Sequence, residues 1–199
     1  MSLIENNLED LKSIFHHEFG HFVAFNLSSK HISGFDIREM KITRCPLCKN
    51  GFGGCTKPQL PKGYKNYQKL NSERLAHVFS NNYLGCIFQI ILSNSDDQLD
   101  DYMLDYGQLD QKSINHFLNQ YELISKTHEI NDHFRNLCNS MRGKFKNPFY
   151  ETDYYELFVE ENDEISINLI KLKELSKNFI KKFEHEYFDN IASLKKIIE

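Results

Sequence analysis

The sequence predicts a mainly α-helical chain with one small β-hairpin or short sheet, and three observations lead there. Apolar residues recur at helical spacing near both ends, first as Leu8, Leu11, Phe15, Phe19, Phe22 and Val23, last as Leu169, Leu172, Leu175, Phe179, Phe183 and Tyr187. Between them, residues 83–92 are apolar on nearly every face, as a helix enclosed by other helices is. Residues 35–42 instead alternate apolar and polar with the period of two that a half-buried strand needs.

Taken in order, residues 4–27 read as a first helix. The strand at 35–42 is followed by a short one at 51–56, so that residues 35–57 form a hairpin, and Pro58 and Pro61 then break regular structure. A helix in one or two pieces spans 66–92. Asp96, Asp97, Asp100, Asp101, Asp105 and Asp110 crowd the acid-rich loop after it, and Asp110 caps a third helix over 111–125. Helical pieces joined by a loop at 146–148 occupy 131–155. One long amphipathic helix, over 163–198, closes the chain, its lysines forming a solvated face.

The 199 residues are enough for one domain with a sizeable core. The net charge of −4 gives no basic footprint for nucleic acid. No run of about 18 apolar residues and no basic-then-apolar leader is seen, so the expectation is a soluble, unexported, cytoplasmic chain without membrane contact. Five cysteines, an odd number, suggest reduced thiols and no disulfide framework.

The chemistry concentrates in the first helix, where His17-Glu18-Phe19-Gly20-His21 fits the pattern H-E-x-x-H. Residues four apart stand one turn above each other, so His17 and His21 offer two imidazoles to one metal ion. Glu18 is rotated from that pair by about 100° and is free to act as general base on a water that zinc has acidified toward a pKa of about 7. Such a group is costly to bury beside an apolar stripe without a partner. Gly20 weakens the helix by about 1 kcal/mol relative to Ala, which points to another segment approaching closely there. His16 faces away from the pair, as a surface histidine or one supporting the site from behind. A catalytic zinc keeps three protein ligands. Glu73 from the second helix is one source of the third, and the acidic cluster offers an aspartate instead.

The chain order adds to this. The H-E-x-G-H helix, the hairpin ending in Gly54-Cys55-Thr56, the buried helix with Gly85, and Gly107-Gln108-Leu109-Asp110 opening a helix together resemble the peptidase domain of the FtsH-type AAA metalloproteases, over residues 10–120. The resemblance implies a helical zincin-like fold, with residues 1–126 as the metal-site core and 127–199 as a C-terminal helical part. It implies His17, His21 and Asp110 as zinc ligands and Glu18 as the base. The acid-rich loop is longer than in that family, which leaves Asp101 or Asp97 as alternatives. The family's glutamate after the central glycine is missing, since Gly85 is followed by Cys86-Ile87-Phe88-Gln89, and the chain is expected to lack the family's ATPase module and membrane anchor. The expected activity is therefore a zinc metalloendopeptidase acting on a peptide or flexible protein segment, with a separate ATPase or a homo-oligomer as partner. The alternative is a non-catalytic, zinc-stabilised regulatory or interaction protein using its long C-terminal helix as a partner surface.

Cys45-Pro46-Leu47-Cys48 has the form of a zinc knuckle, which Cys55 and His31 would have to complete. Otherwise these are free thiols in a loop, with a redox role more remote. Cys86 and Cys138 read as ordinary buried residues, and His77, His116, His128, His133 and His185 as surface or core histidines.

Overall fold

Two helices crossing at glycines set the frame of the computed structural model, which describes residues 2–30, 36–48, 51–59, 70–162 and 164–199. Helix α1 (Leu3–Ser28) begins at a capping box: Ser2 Oγ accepts from the Ile4 amide at 3.2 Å, and the Glu5 carboxylate accepts from the Ser2 amide at 3.4 Å. Helix α2 (Ser72–Leu92) begins at Asn71, whose side-chain oxygen accepts from the Arg74 amide. The close approach expected at Gly20 is to α2, because a Cβ there would run into the Leu84 carbonyl. Residues 66–69 of the predicted second helix lie outside the described residues.

Aromatic rings fill the seam. Phe19 of α1 meets Phe88 of α2 at 5.8 Å between ring centres and Phe179 of the last helix, α7 (Leu169–Ile198), at 5.6 Å. Phe88 meets Phe183 of α7 edge-on at 5.1 Å. Edge-to-face contacts of this kind add about 0.5–1.5 kcal/mol each beyond the area they bury. By length and composition α2 is apolar enough to cross a membrane, against the expectation of no such run, and here it is enclosed by protein.

The β-structure exceeds the expected hairpin. Strands β1 (Asp36–Arg44) and β2 (Phe52–Gln59) pair as predicted. A second hairpin, β3 (Phe158–Glu161) and β4 (Glu164–Ile167), joins them to make an antiparallel sheet in the order β2-β1-β4-β3. Part of the predicted 163–198 helix is therefore strand, and α7 starts only at Leu169, after an Asn168 cap. Pro58 does not break β2. It lies within that strand, which is at the sheet edge where a missing N–H is tolerated. Pro61 and Phe35 lie outside the described residues.

Two further expectations change around the acidic cluster. The supposed loop contains helix α3 (Leu99–Asp105), with Leu99, Tyr102 and Met103 buried. The next helix, α4 (Gln108–Gln120), starts three residues earlier than predicted, so Gly107 is the cap residue and Asp110 lies inside the first turn. Helices α5 (Thr127–Met141) and α6 (Glu151–Leu157) flank the 146–148 loop as expected.

Candidate metal centre

The α1–α2 crossing brings His17 and His21 over Gly85, where an added Cβ would stand 2.8 Å from the Nε2 atom of each ring. The absence of a side chain at Gly85 is thus what gives the imidazoles room. Helix α4 delivers Asp110 to the same point. Its Oδ2 lies 3.0 Å from His17 Nε2 and 3.5 Å from His21 Nε2, and the two Nε2 atoms are 3.1 Å apart. Ligands held about 2.0–2.1 Å from a tetrahedral ion stand about 3.3–3.4 Å from one another, so the three donors fit a small cation with little adjustment.

The rings are fixed from behind. The His21 Nδ1–H donates to the Asn81 carbonyl at 2.9 Å. The His17 Nδ1–H donates to Gln89 Oε1 at 3.2 Å, and Gln89 in turn donates to Ser13 Oγ at 2.9 Å. Both contacts select the tautomer that leaves Nε2 facing the common point. Burial alone would lower the His21 pKa, but the Asp110 carboxylate, with Glu18 and the Asn81 carbonyl, pushes it up to about 9. Burial works against ionised Asp110, and the two histidines outweigh it, holding the carboxyl well below the usual range.

Glu18 is also buried, on the neighbouring face of α1. Thr56 of β2 donates to its Oε2 at 2.7 Å. Gly54 lies against the same carboxylate, with no space for a Cβ. The hairpin thus clamps Glu18 beside the histidines. All four residues line one open cleft of about 420 Å³, whose walls include Phe52 and Thr56 on the sheet side and Tyr106 and Leu109 on the helical side.

Of the alternatives for a third donor, Asp97 and Asp101 face a separate depression beside Tyr102. Glu73 sits in the first turn of α2, about 18 Å along the helix from Gly85. Among the described residues, His17, His21 and Asp110 are the one group of three or more metal-ligating side chains that converge. His16 is not a surface residue: it is buried, with Nδ1 3.0 Å from Ser93 Oγ and Nε2 2.7 Å from the Tyr154 hydroxyl. Burial, with Lys12 nearby, lowers its pKa to about 3. The Cys45 and Cys48 sulfurs are not free thiols but disulfide-bonded, while Cys55, Cys86 and Cys138 are free. His31 lies outside the described residues.

Sequence reasoning missed Gln89, Ser13 and the Asn81 carbonyl. Gln89 did leave a signal, a single amide in an otherwise apolar stretch, fully buried where an unpartnered amide would be costly. No protein-family model, curated protein or solved structure matches the chain.

Proposed function

We propose that the protein is a zinc-dependent metallopeptidase of the H-E-x-x-H type, similar in plan to the FtsH-type peptidase domains. The observation that carries this reading is Glu18: a buried carboxylate beside a three-donor group, outside that group, clamped by Thr56 and open to a cleft. A purely structural metal site has no use for it.

His17, His21 and Asp110 would hold the ion. When bound there, zinc supplies Lewis acidity to a water and to the carbonyl of the scissile bond. Thr56 occupies one oxygen of Glu18 and leaves the other to accept the proton of the attacking water, which Glu18 then gives to the departing amine. Gln89 and the Asn81 carbonyl keep the imidazoles from turning as charge changes beside them. Substrate would be an extended peptide or flexible protein segment, laid along β2 by strand addition, since β2 is a sheet edge and Gly54 and Thr56 touch the base.

The test is Glu18→Gln in the zinc-loaded chain. Zinc content should stay at the wild-type level, while cleavage of an unfolded protein or a quenched fluorescent peptide falls by at least about 100-fold, as expected when a positioned general base is removed. Equal cleavage by both proteins would defeat the peptidase reading and leave a metal-stabilised scaffold.

A further inference from the structure

The Cys45–Cys48 link stands at the mouth of the cleft, and the proposed chemistry makes no use of it. Cys45 directly follows β1, and the turn that carries the link forms one wall of the cleft, with Leu47 at its tip 99% exposed. The link does little for the fold. It closes a loop of only three residues' separation, and the stabilisation that a crosslink gives through the unfolded chain grows with loop length. Within the turn, backbone hydrogen bonds run from Cys48 to Cys45, from Gly51 to Cys48 and from Cys45 to Gly51, at 2.9, 3.0 and 2.8 Å, and their amides report its state. Both cysteines are partly exposed at the cleft wall, as exchange with a small thiol requires.

We propose that Cys45 and Cys48 form a reversible dithiol–disulfide site, exchanging with low-molecular-weight thiols and disulfides, that sets the position of the Leu47 rim and so the access of peptide to the metal centre. In the oxidising direction a thiolate of the pair attacks a sulfur of a small-molecule disulfide. A mixed disulfide forms, and the expelled thiolate takes up a proton. The second cysteine, as thiolate, then attacks the protein sulfur of the mixed disulfide, forming the Cys45–Cys48 bond and releasing the second small thiol. Two electrons pass from the pair to the small-molecule disulfide, and an excess of thiol runs the sequence backwards.

Reduction has a defined consequence at the rim. Two unbonded sulfurs must separate to van der Waals contact. The turn that carries them must adjust to that separation, and Leu47, between the two cysteines at its exposed tip, moves with it. The oxidised chain therefore offers a preformed wall to the substrate and the reduced chain a looser one, a difference in binding more than in chemistry. The thiol exchange stands on its own, while its effect on turnover rests on the peptidase reading.

The zinc-loaded full chain would be equilibrated in buffers of oxidised and reduced glutathione, quenched with an alkylating agent and followed by mass at residues 45–48. Amide exchange at Cys45, Cys48 and Gly51 and KM for a quenched fluorescent peptide would be measured in the same samples. The expected result is full interconversion of the pair, with several-fold faster exchange at those amides and several-fold higher KM when reduced, kcat and zinc content being unchanged. Cys45→Ser/Cys48→Ser should behave as the reduced protein at every buffer ratio. Three results would overturn the proposal: a link that millimolar thiol leaves intact, amide exchange independent of redox state, or a second zinc ion per chain that the double variant lacks. Rim opening without peptide cleavage in either state would sustain the redox site and sink the peptidase reading instead.

Discussion

At the scale of single residues, the candidate centre rests on atoms that are absent as much as on those present. Gly85 and Gly20 lie on opposite sides of the same helix crossing, yet alanine at each should fail differently. A Cβ at Gly85 meets the two Nε2 atoms, whereas one at Gly20 meets the Leu84 backbone. The Cβ at Gly85 must displace both pinned rings from the common point, so Gly85→Ala is expected to bind zinc at least about tenfold more weakly in a chelator competition. Gly20→Ala should instead lose about 1–3 kcal/mol in urea denaturation, because overpacking there must push α1 and α2 apart. Gln89→Leu tests the second layer. It leaves the Nδ1–H of His17 and the hydroxyl of Ser13 without their partner, and should weaken zinc binding about 10–100-fold with little change in the fold seen by circular dichroism. Wild-type affinity in that variant would mean that the Gln89 contact is not what holds the ring, the Cys86 Sγ 3.8 Å from the same Nδ1 and the surrounding packing sufficing.

Element by element, what the sequence made legible follows from the range of the forces involved. Helices α1, α2 and α7 carry their own periodicity over many turns, and the His17–His21 pair is a local consequence of one of them. Gly20 also spoke plainly, as a weak helix former that needed a reason. Strands β3 and β4, with four residues each, are too short for alternation to show, and they exist because β1 lends them an edge. Helix α3 was hidden by its aspartates, whose surface charge masks the buried Leu99, Tyr102 and Met103. That Asp110 lies beside the two histidines was indicated by chain order and not by pattern, since nothing local separates a first-turn aspartate facing another helix from a cap. The start of α1 shows a contact no local reading supplies. Glu160 of β3, distant in sequence, accepts from the Leu3 amide at 3.0 Å and from Ser2 Oγ at 2.6 Å. Those hydrogen bonds, Ser2's first, hold the Glu160 carboxyl below its usual range. The α1 N-terminus is thus tied to the sheet by a carboxylate placed where the helix dipole favours it. Glu160→Gln should speed amide exchange several-fold in the first turn of α1 and leave the amides around Phe19 unchanged. Equal protection in both proteins would show that the capping box alone fixes the helix end.

Over the whole molecule, two buried histidines should bend the stability of the metal-free protein in opposite directions. His16 titrates near pH 3 in the folded state against an ordinary 6.5, so the unfolded chain binds the additional proton between those values. Stability must therefore fall as pH drops below 6.5, by about 1.4 kcal/mol per unit, or about 2 kcal/mol from pH 7 to pH 5. His21 is shifted the other way. With its folded value raised to about 9 beside Asp110, the stability it lends is complete below 6.5 and is lost as pH rises through 9. Metal-free protein should accordingly be most stable near pH 6.5 in urea titrations run from pH 4.5 to 9.5. Two changes should separate the limbs. His16→Gln, whatever its absolute stability, should flatten the acid limb and leave the alkaline one. Saturating zinc should remove the alkaline limb, because an ion between His21 and Asp110 takes over the role of the proton, and at about 100 times its dissociation constant it should add about 2.7 kcal/mol besides. Binding must then release a proton below pH 9, which calorimetry in buffers of different ionisation enthalpy will register as a buffer-dependent heat. An alkaline limb that persists with zinc bound would place the ion elsewhere than between His21 and Asp110, and the catalytic assignment of Glu18 would lose its footing with it.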